Sequence, residues 1–122
     1  MSQQDRKEAG AAGEAAALAH LESKGLRLLL RNYRCRGGEI DLVMLDDATL
    51  VLIEVRLRSY ARFGGAAASV TTAKQRRITL AARHLLLTKP ELARYRARFD
   101  VVAISPRKES WHVEWIRDAF RV

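Results

Sequence analysis

Residues 38–58 read GEIDLVMLDDATLVLIEVRLR, and the fold is decided there. The runs 39–45 (EIDLVML) and 50–57 (LVLIEVRL) are rich in Val, Ile and Leu. Asp46-Asp47-Ala48-Thr49 between them is turn chemistry, so the stretch reads as a β-hairpin. A two-residue loop at Asp47-Ala48 pairs Asp46 with Thr49, which sets Asp41 opposite Glu54 and Glu39 opposite Arg56. A four-residue loop gives the same register, whereas a three-residue loop slips it. Ile40, Leu42, Met44, Val51, Ile53 and Val55 then share one wholly apolar face, expected in the core. The other face carries Val43, Leu45, Leu50 and Leu52 beside the two acids, so it is expected to be at least partly covered.

Directly opposed like charges destabilise a sheet. Two carboxylates held together beside apolar residues make sense with a cation between them. All-oxygen ligation suits Mg²⁺ or Mn²⁺. The competing reading is a wet sheet edge, where Asp41 and Glu54 pair with Arg56 and Arg58 on the same face. Both strands read as central, which favours the cation.

Working outward, residues 5–24 are Ala-rich, with Ala11, Ala15, Leu18 and Leu21 as apolar positions and Gly25 as a stop, so a helix is expected. Glu14 shares a stripe with Leu18 and Leu21. It either sits at the rim of the packed face or reaches the acidic pair. Residues 26–34 (LRLLLRNYR) read as a strand and Arg36-Gly37-Gly38 as a turn. Residues 59–70, with Gly64 and Gly65, read as a loop. Thr71 or Thr72 caps a helix running to about Thr88. Lys74 and Gln75 open it; each either reaches the sheet face or a phosphate near the helix N-terminus, or is an ordinary polar first turn. Pro90 opens a short turn before Arg98. Residues 99–105 (FDVVAIS) form a strand ended by Pro106. Residues 110–116 (SWHVEWI) alternate as a half-exposed last strand. The order is α-β-β-β-α-β-β, an α/β fold with a central mixed β-sheet flanked by helices.

At 122 residues the chain fits one domain, 1–122, with 48% hydrophobic and 30% charged residues arguing against disorder. The single cysteine, Cys35, excludes an internal disulfide and a multi-cysteine zinc site. No apolar run has the length of a bilayer span, and Glu14 interrupts the Ala-rich start, so a cytoplasmic protein is expected. His20, His84 and His112 show no ligand spacing and read as surface groups. Trp111 and Trp115 share one strand face and read as core or interface packing.

The net charge is +8, and it is not evenly spread. Residues 62–122 hold thirteen basic and five acidic groups, while 1–61 balance at nine each. The segment 56–98 has eleven basic residues against Glu91 alone. Such a field attracts polyanions, and nucleic acid is expected ahead of a membrane because no basic amphipathic helix carries Trp or Phe on its apolar face.

Gly38-Glu39-Ile40-Asp41-Leu42 followed by Ile53-Glu54-Val55-Arg56-Leu57-Arg58 resembles the Asp…Glu-x-Lys core of restriction-endonuclease-like nucleases. The closest resemblance is to the small bacterial proteins of the UPF0102 (YraN-type) family. Gly13-Glu14, Arg31-Asn32-Tyr33-Arg34, Phe63-Gly64, Lys74 and Arg98-Phe99-Asp100-Val101-Val102 resemble its other blocks, so the likeness covers nearly the whole chain. It implies a metal-dependent phosphodiesterase site. Asp41 and Glu54 would bind Mg²⁺ (or Mn²⁺), with Glu14 as a further acid from the helix. Arg58, Arg62, Lys74, Gln75 and Arg77 of the basic segment are the expected nucleic-acid contacts, with DNA as the expected partner. The catalytic lysine position, however, holds Arg56. An arginine gives up no proton near neutral pH and cannot act as a general base, although it can hold a phosphate. With five lysines against seventeen arginines, the swap also fits an overall leaning toward arginine.

Three readings follow. The first is a Mg²⁺-dependent endodeoxyribonuclease. The second is a nuclease-fold protein that binds nucleic acid without cutting. The third is a scaffold whose basic face takes an acidic protein. The aromatic last strand is compatible with a homodimer and equally with an ordinary edge strand.

Overall fold

The described residues, 3–58 and 70–121 of a computed structural model, form α1 (Gln3–Ser23), β1 (Arg27–Cys35), β2 (Gly38–Asp46), β3 (Thr49–Leu57), α2 (Thr72–Thr88), a 3-10 turn (Pro90–Arg94), β4 (Arg96–Arg107) and β5 (Ser110–Phe120). This is the expected element order. The sheet has five strands in the order β1-β2-β3-β4-β5. Neighbours are antiparallel except β3 and β4, which run parallel and are joined through α2. A parallel pair needs such a crossover, because its strands start at the same end.

The hairpin has the register read from the sequence: Asp46 pairs with Thr49, Leu45 with Leu50 and Leu42 with Ile53. Both faces of the sheet are buried. Leu42, Met44, Val51 and Ile53 pack with Ala17, Leu18 and Leu21 of α1. Val43, Leu45, Leu50 and Leu52 pack with Ile78, Ala81, Ala82 and Leu85 of α2. Ile40, expected on the same face as Leu42 and Met44, lies in the α2 cluster instead. The β2–β3 ladder has ended by that point, and Gly38 lies directly under α2.

Two glycines set how closely the helices approach. A Cβ on Gly13 would lie 2.2 Å from Ile104 Cδ1, so α1 sits tight on β4 at that turn. The buried stripe of α1 is therefore Gly13, Ala17, Leu18 and Leu21, and Ala11 and Ala15 are exposed, contrary to expectation. A Cβ on Gly38 would lie 2.3 Å from the Arg77 carbonyl oxygen and 3.0 Å from the Ala81 nitrogen. Here the obstacle is helix backbone, which cannot swing aside as the tip of Ile104 can.

Pro106 does not end its strand. It pairs in register with Trp111, beyond Ile104, where the β3–β4 pairing stops. Its missing N–H is harmless there. β5 also runs on past residue 116 to Phe120. Asp100 explains the extension. It is fully buried and takes hydrogen bonds from Arg98 Nε (3.0 Å), Trp115 Nε1 (2.9 Å) and the Asp118 N–H (2.9 Å). Arg98 Nη2 also donates to Asp46 at 2.9 Å, so one network ties β2, β4 and β5 together. Phe99 and Phe120 stack beside it with ring centroids 4.9 Å apart. The Arg98-Phe99-Asp100 block is thus a structural clasp.

Substitution of Gly38 by Ala is expected to cost about 1–3 kcal/mol, because α2 must shift off β2. Gly13→Ala should cost less, since the Ile104 side chain can turn. Urea unfolding of both variants checks the order.

Candidate active site

The site lies on the α2 side of the sheet, toward the end of β3. Alternation along β3 puts Glu54 and Arg56 on one face. Asp41 comes from β2, one step beyond the last paired residues, Leu42 and Ile53. Val55 N–H would pair with Ile40 on this register. It instead donates to Asp41 Oδ2 at 2.8 Å. The Asp41 carboxylate thus closes the hairpin ladder and is held in place by backbone.

The Glu54 carboxyl lies close enough to Asp41 for each acid to raise or lower the other's pKa. Burial raises the Asp41 pKa, and the Val55 N–H and the Glu54 hydrogen bond oppose the rise. Burial pushes Glu54 from its ordinary 4.5 up to about 7, reinforced by the charge of Asp41 and the hydrogen bond to it, and opposed by Arg56 and Lys74. Arg56 Nη1 lies 3.8 Å from Glu54 Oε1. Its Nε is buried without a hydrogen-bond partner.

Glu39, Glu54, Arg56, Lys74, Arg77 and Ile78 line a cleft of about 160 Å³ between the sheet and the start of α2. Thr71 caps that helix, its Oγ1 accepting from the Lys74 N–H at 3.3 Å. The Lys74 pKa is lowered by burial and by the neighbouring Arg56, against the pull of Glu54 and Asp41. Three cations and the acidic pair therefore meet in one place, which no single motif in the sequence announces.

Other expected residues stand elsewhere. Gln75 turns back to donate to the Val70 carbonyl at 3.1 Å, and it lines a groove on the other side of α2 with Thr72, Arg76 and Arg83. Arg58 continues β3 beside Ile104, its N–H donating to that carbonyl at 2.7 Å. Glu39, expected opposite Arg56, pairs with Arg34 across β1 at 3.5 Å while still bordering the cleft. Arg62 and the Phe63-Gly64 block, with the rest of 59–69, lie outside the described residues.

Glu14, expected either at the rim of the packed face or as a further acid at the site, is found in an ion pair with Arg31. Its Oε1 accepts from Arg31 Nη2 and Asn32 Nδ2, both at 3.3 Å. Its charge is felt at Asp41, but no three His, Cys, Asp or Glu side chains are grouped to hold a metal among the described residues. Asn32 adopts φ 51°, a left-handed conformation that asparagine tolerates, in the β1 segment flanking Asp41. His84 is exposed as expected, yet its Nδ1 meets the Tyr33 hydroxyl at 2.5 Å, tying β1 to α2.

The donor set fits a hard divalent cation. Mg²⁺ is commonly held by one or two carboxylates, with water and substrate phosphate completing its shell. Asp41 and Glu54 supply two carboxylates whose mutual repulsion a cation would relieve.

The family model described as uncharacterised protein family UPF0102 matches residues 13–104. A UPF0102 protein of Cupriavidus taiwanensis is 57% identical over 117 residues, 94% of this chain and 84% of that protein. One of Xanthomonas campestris is 54% identical over 96% of this chain and 94% of that protein. One of Pseudomonas entomophila is 50% identical over 92% of both. Among the described residues no helix is long and apolar enough to cross a membrane.

The raised Glu54 pKa has a stability consequence. Between about 4.5 and 7 the folded metal-free chain holds more protons than the unfolded chain. The pair's contribution is therefore fully present below about 4.5 and is lost as pH rises through about 7. Thermal melts in EDTA should show this decline, and Glu54→Gln should flatten it. A decline of equal size in Glu54→Gln would place its origin elsewhere.

Proposed function

The chain belongs to the UPF0102 family, and from that premise we propose that it is a Mg²⁺-dependent nuclease acting on the phosphodiesters of DNA. The observation that carries the reading is the pair of half-buried, closely set carboxylates, Asp41 and Glu54, at a cleft where Arg56, Lys74 and Arg77 also meet. A pair held at this desolvation cost suits a metal completed by substrate oxygens.

In this reading Asp41 and Glu54 hold the metal. When bound, it lowers the pKa of a water and neutralises charge gathering on the phosphate. Arg56 Nη1 braces Glu54. Lys74 and Arg77 face the phosphate across the cleft, and Arg58 extends the basic surface along β3. Hydrolysis joins a water oxygen to phosphorus and breaks the bond to one sugar oxygen, which leaves with a proton. Among the described residues the cleft is lined by charged side chains and Ile78 with no aromatic side chain to stack a base, which favours backbone recognition without sequence reading.

A second reading draws on Arg56 itself. Its guanidinium stands 3.8 Å from Glu54, where it competes with a metal for that carboxylate. The chain would then bind nucleic acid without cutting it.

One assay separates the two. Duplex, single-stranded, flap and four-way-junction DNA are incubated with Mg²⁺ or Mn²⁺ and with the wild-type chain, Glu54→Gln or Asp41→Asn. Cleavage is expected to fall about 100-fold or more in both variants while DNA binding persists. Normal gel shifts without cleavage by wild type would instead establish the binder. No shift near physiological salt would remove both readings in favour of an acidic protein partner. Arg77→Ala should weaken binding of all sequences alike and lower the slope of log affinity against log salt by about 1.

A further inference from the structure

A single lysine two residues after Glu54 would meet the phosphate by itself, but Arg56 stands there and is already engaged. Its Nη1 is turned to Glu54 at 3.8 Å, and its Nε is buried with no acceptor. A buried unsatisfied donor is costly, and in a charged cleft it calls for an oxygen acceptor. Lys74 lines the same cleft, near enough to feel the charges of Arg56 and Glu54. It is the lone lysine of the segment 56–88, the rest of whose cations are arginines. Its ammonium makes no ion pair among the described residues, whereas Arg31, Arg34, Arg56, Arg98 and Arg121 all do. Its backbone is fixed by the Thr71 cap, and Ile78, one turn on, is buried against the sheet. The first turn of α2 thus cannot swing away from the cleft without uncovering core.

We propose that Lys74 and Arg56 together seat the scissile phosphate, dividing between two strand-and-helix partners the work of one lysine. Lys74 donates from its ammonium to a non-bridging oxygen. Arg56, whose side chain is 31% exposed, donates from the open edge of its guanidinium to the same phosphate while its Nη1 stays beside Glu54. No proton leaves either cation; both act by charge and hydrogen bonding on the negative charge that grows as the phosphodiester is attacked. The compact, freely turning ammonium suits this task better than a second guanidinium would in a cleft of about 160 Å³. The assignment deepens the hydrolase reading and rests on it for the catalytic role, while the phosphate seat itself stands apart from turnover.

The test therefore has two arms. In the first, thermal melts of the full chain are run with inorganic phosphate against NaCl of equal ionic strength. Phosphate is expected to stabilise wild type and Arg83→Ala, a surface control on α2, and to lose most of that effect in Lys74→Ala and in Arg56→Ala. In the second, cleavage of the DNA panel with Mg²⁺ is expected to fall about 100-fold in Lys74→Ala with less than about tenfold change in DNA affinity. The double variant Lys74→Ala/Arg56→Lys should regain at least about tenfold of it, because a lysine then returns to the strand. A role for Lys74 in fold or general DNA attraction would not be rescued that way. Full cleavage by Lys74→Ala, or a double variant no better than the single, overturns the assignment. If wild type cuts nothing, the hydrolase reading falls and the phosphate melts still decide the seat. Equal stabilisation of wild type and Lys74→Ala then overturns it, and selective loss upholds it.

Discussion

The β2–β3 pairing governs everything else in this molecule. Asp46 against Thr49 at the turn and Leu42 against Ile53 at the far end leave Asp41 and Glu54 as the next residues on facing strands. Both are half-buried, both are acids, and each has its pKa raised chiefly by burial. A structure that places them so carries a local electrostatic cost, eased by the Val55 N–H on Asp41 and by Arg56 beside Glu54. The same pairing sets which apolar residues meet α1 and which meet α2, so site and core share one cause.

The two ends of the sheet treat buried charge differently. At the Asp46 end, Asp100 is fully enclosed and every role is filled: Arg98, Trp115 and the Asp118 backbone donate to it, and Arg98 reaches on to Asp46. That arrangement is closed and structural. At the Glu54 end, among the described residues, Arg56 Nε lacks an acceptor and Lys74 lacks an ion pair. Partly satisfied polar groups are expensive in a fold and are concentrated where ligands bind. The contrast separates the clasp from the candidate site although both look like motifs of charged residues.

Helix placement supplies the rest. Gly38 opens the motif that contains Asp41, and its lack of a side chain lets the backbone of α2 come down at Arg77 and Ala81. That approach carries Lys74 and Arg77 to the cleft. Gly13 does the same for α1 against Ile104, with the effect of fixing Glu14 near β1, where Arg31 and Asn32 take it up. The glycines of both motifs thus act through packing, and the neighbouring acids go to different ends: one into the site, one into an ion pair.

Much of this was legible in the residue order. Strand alternation, the turn Asp46-Asp47-Ala48-Thr49 and the Thr71 cap are local signals, and they specified the elements, the hairpin register and the opposition of Asp41 to Glu54. The extent of β5 was not legible, because it depends on Asp100 capturing the Asp118 N–H from another strand. Nor was the fate of Glu14, since helical periodicity gives the face of a side chain but not the partner it meets. The sequence by itself determined which residues lie two apart or face each other across a short turn, because those relations follow from backbone geometry. Only the tertiary structure decided that Lys74 shares a cleft with Glu54 and Arg56 while Gln75 beside it does not. That outcome depends on how closely α2 packs against the sheet at Gly38, a long-range contact that no local pattern encodes.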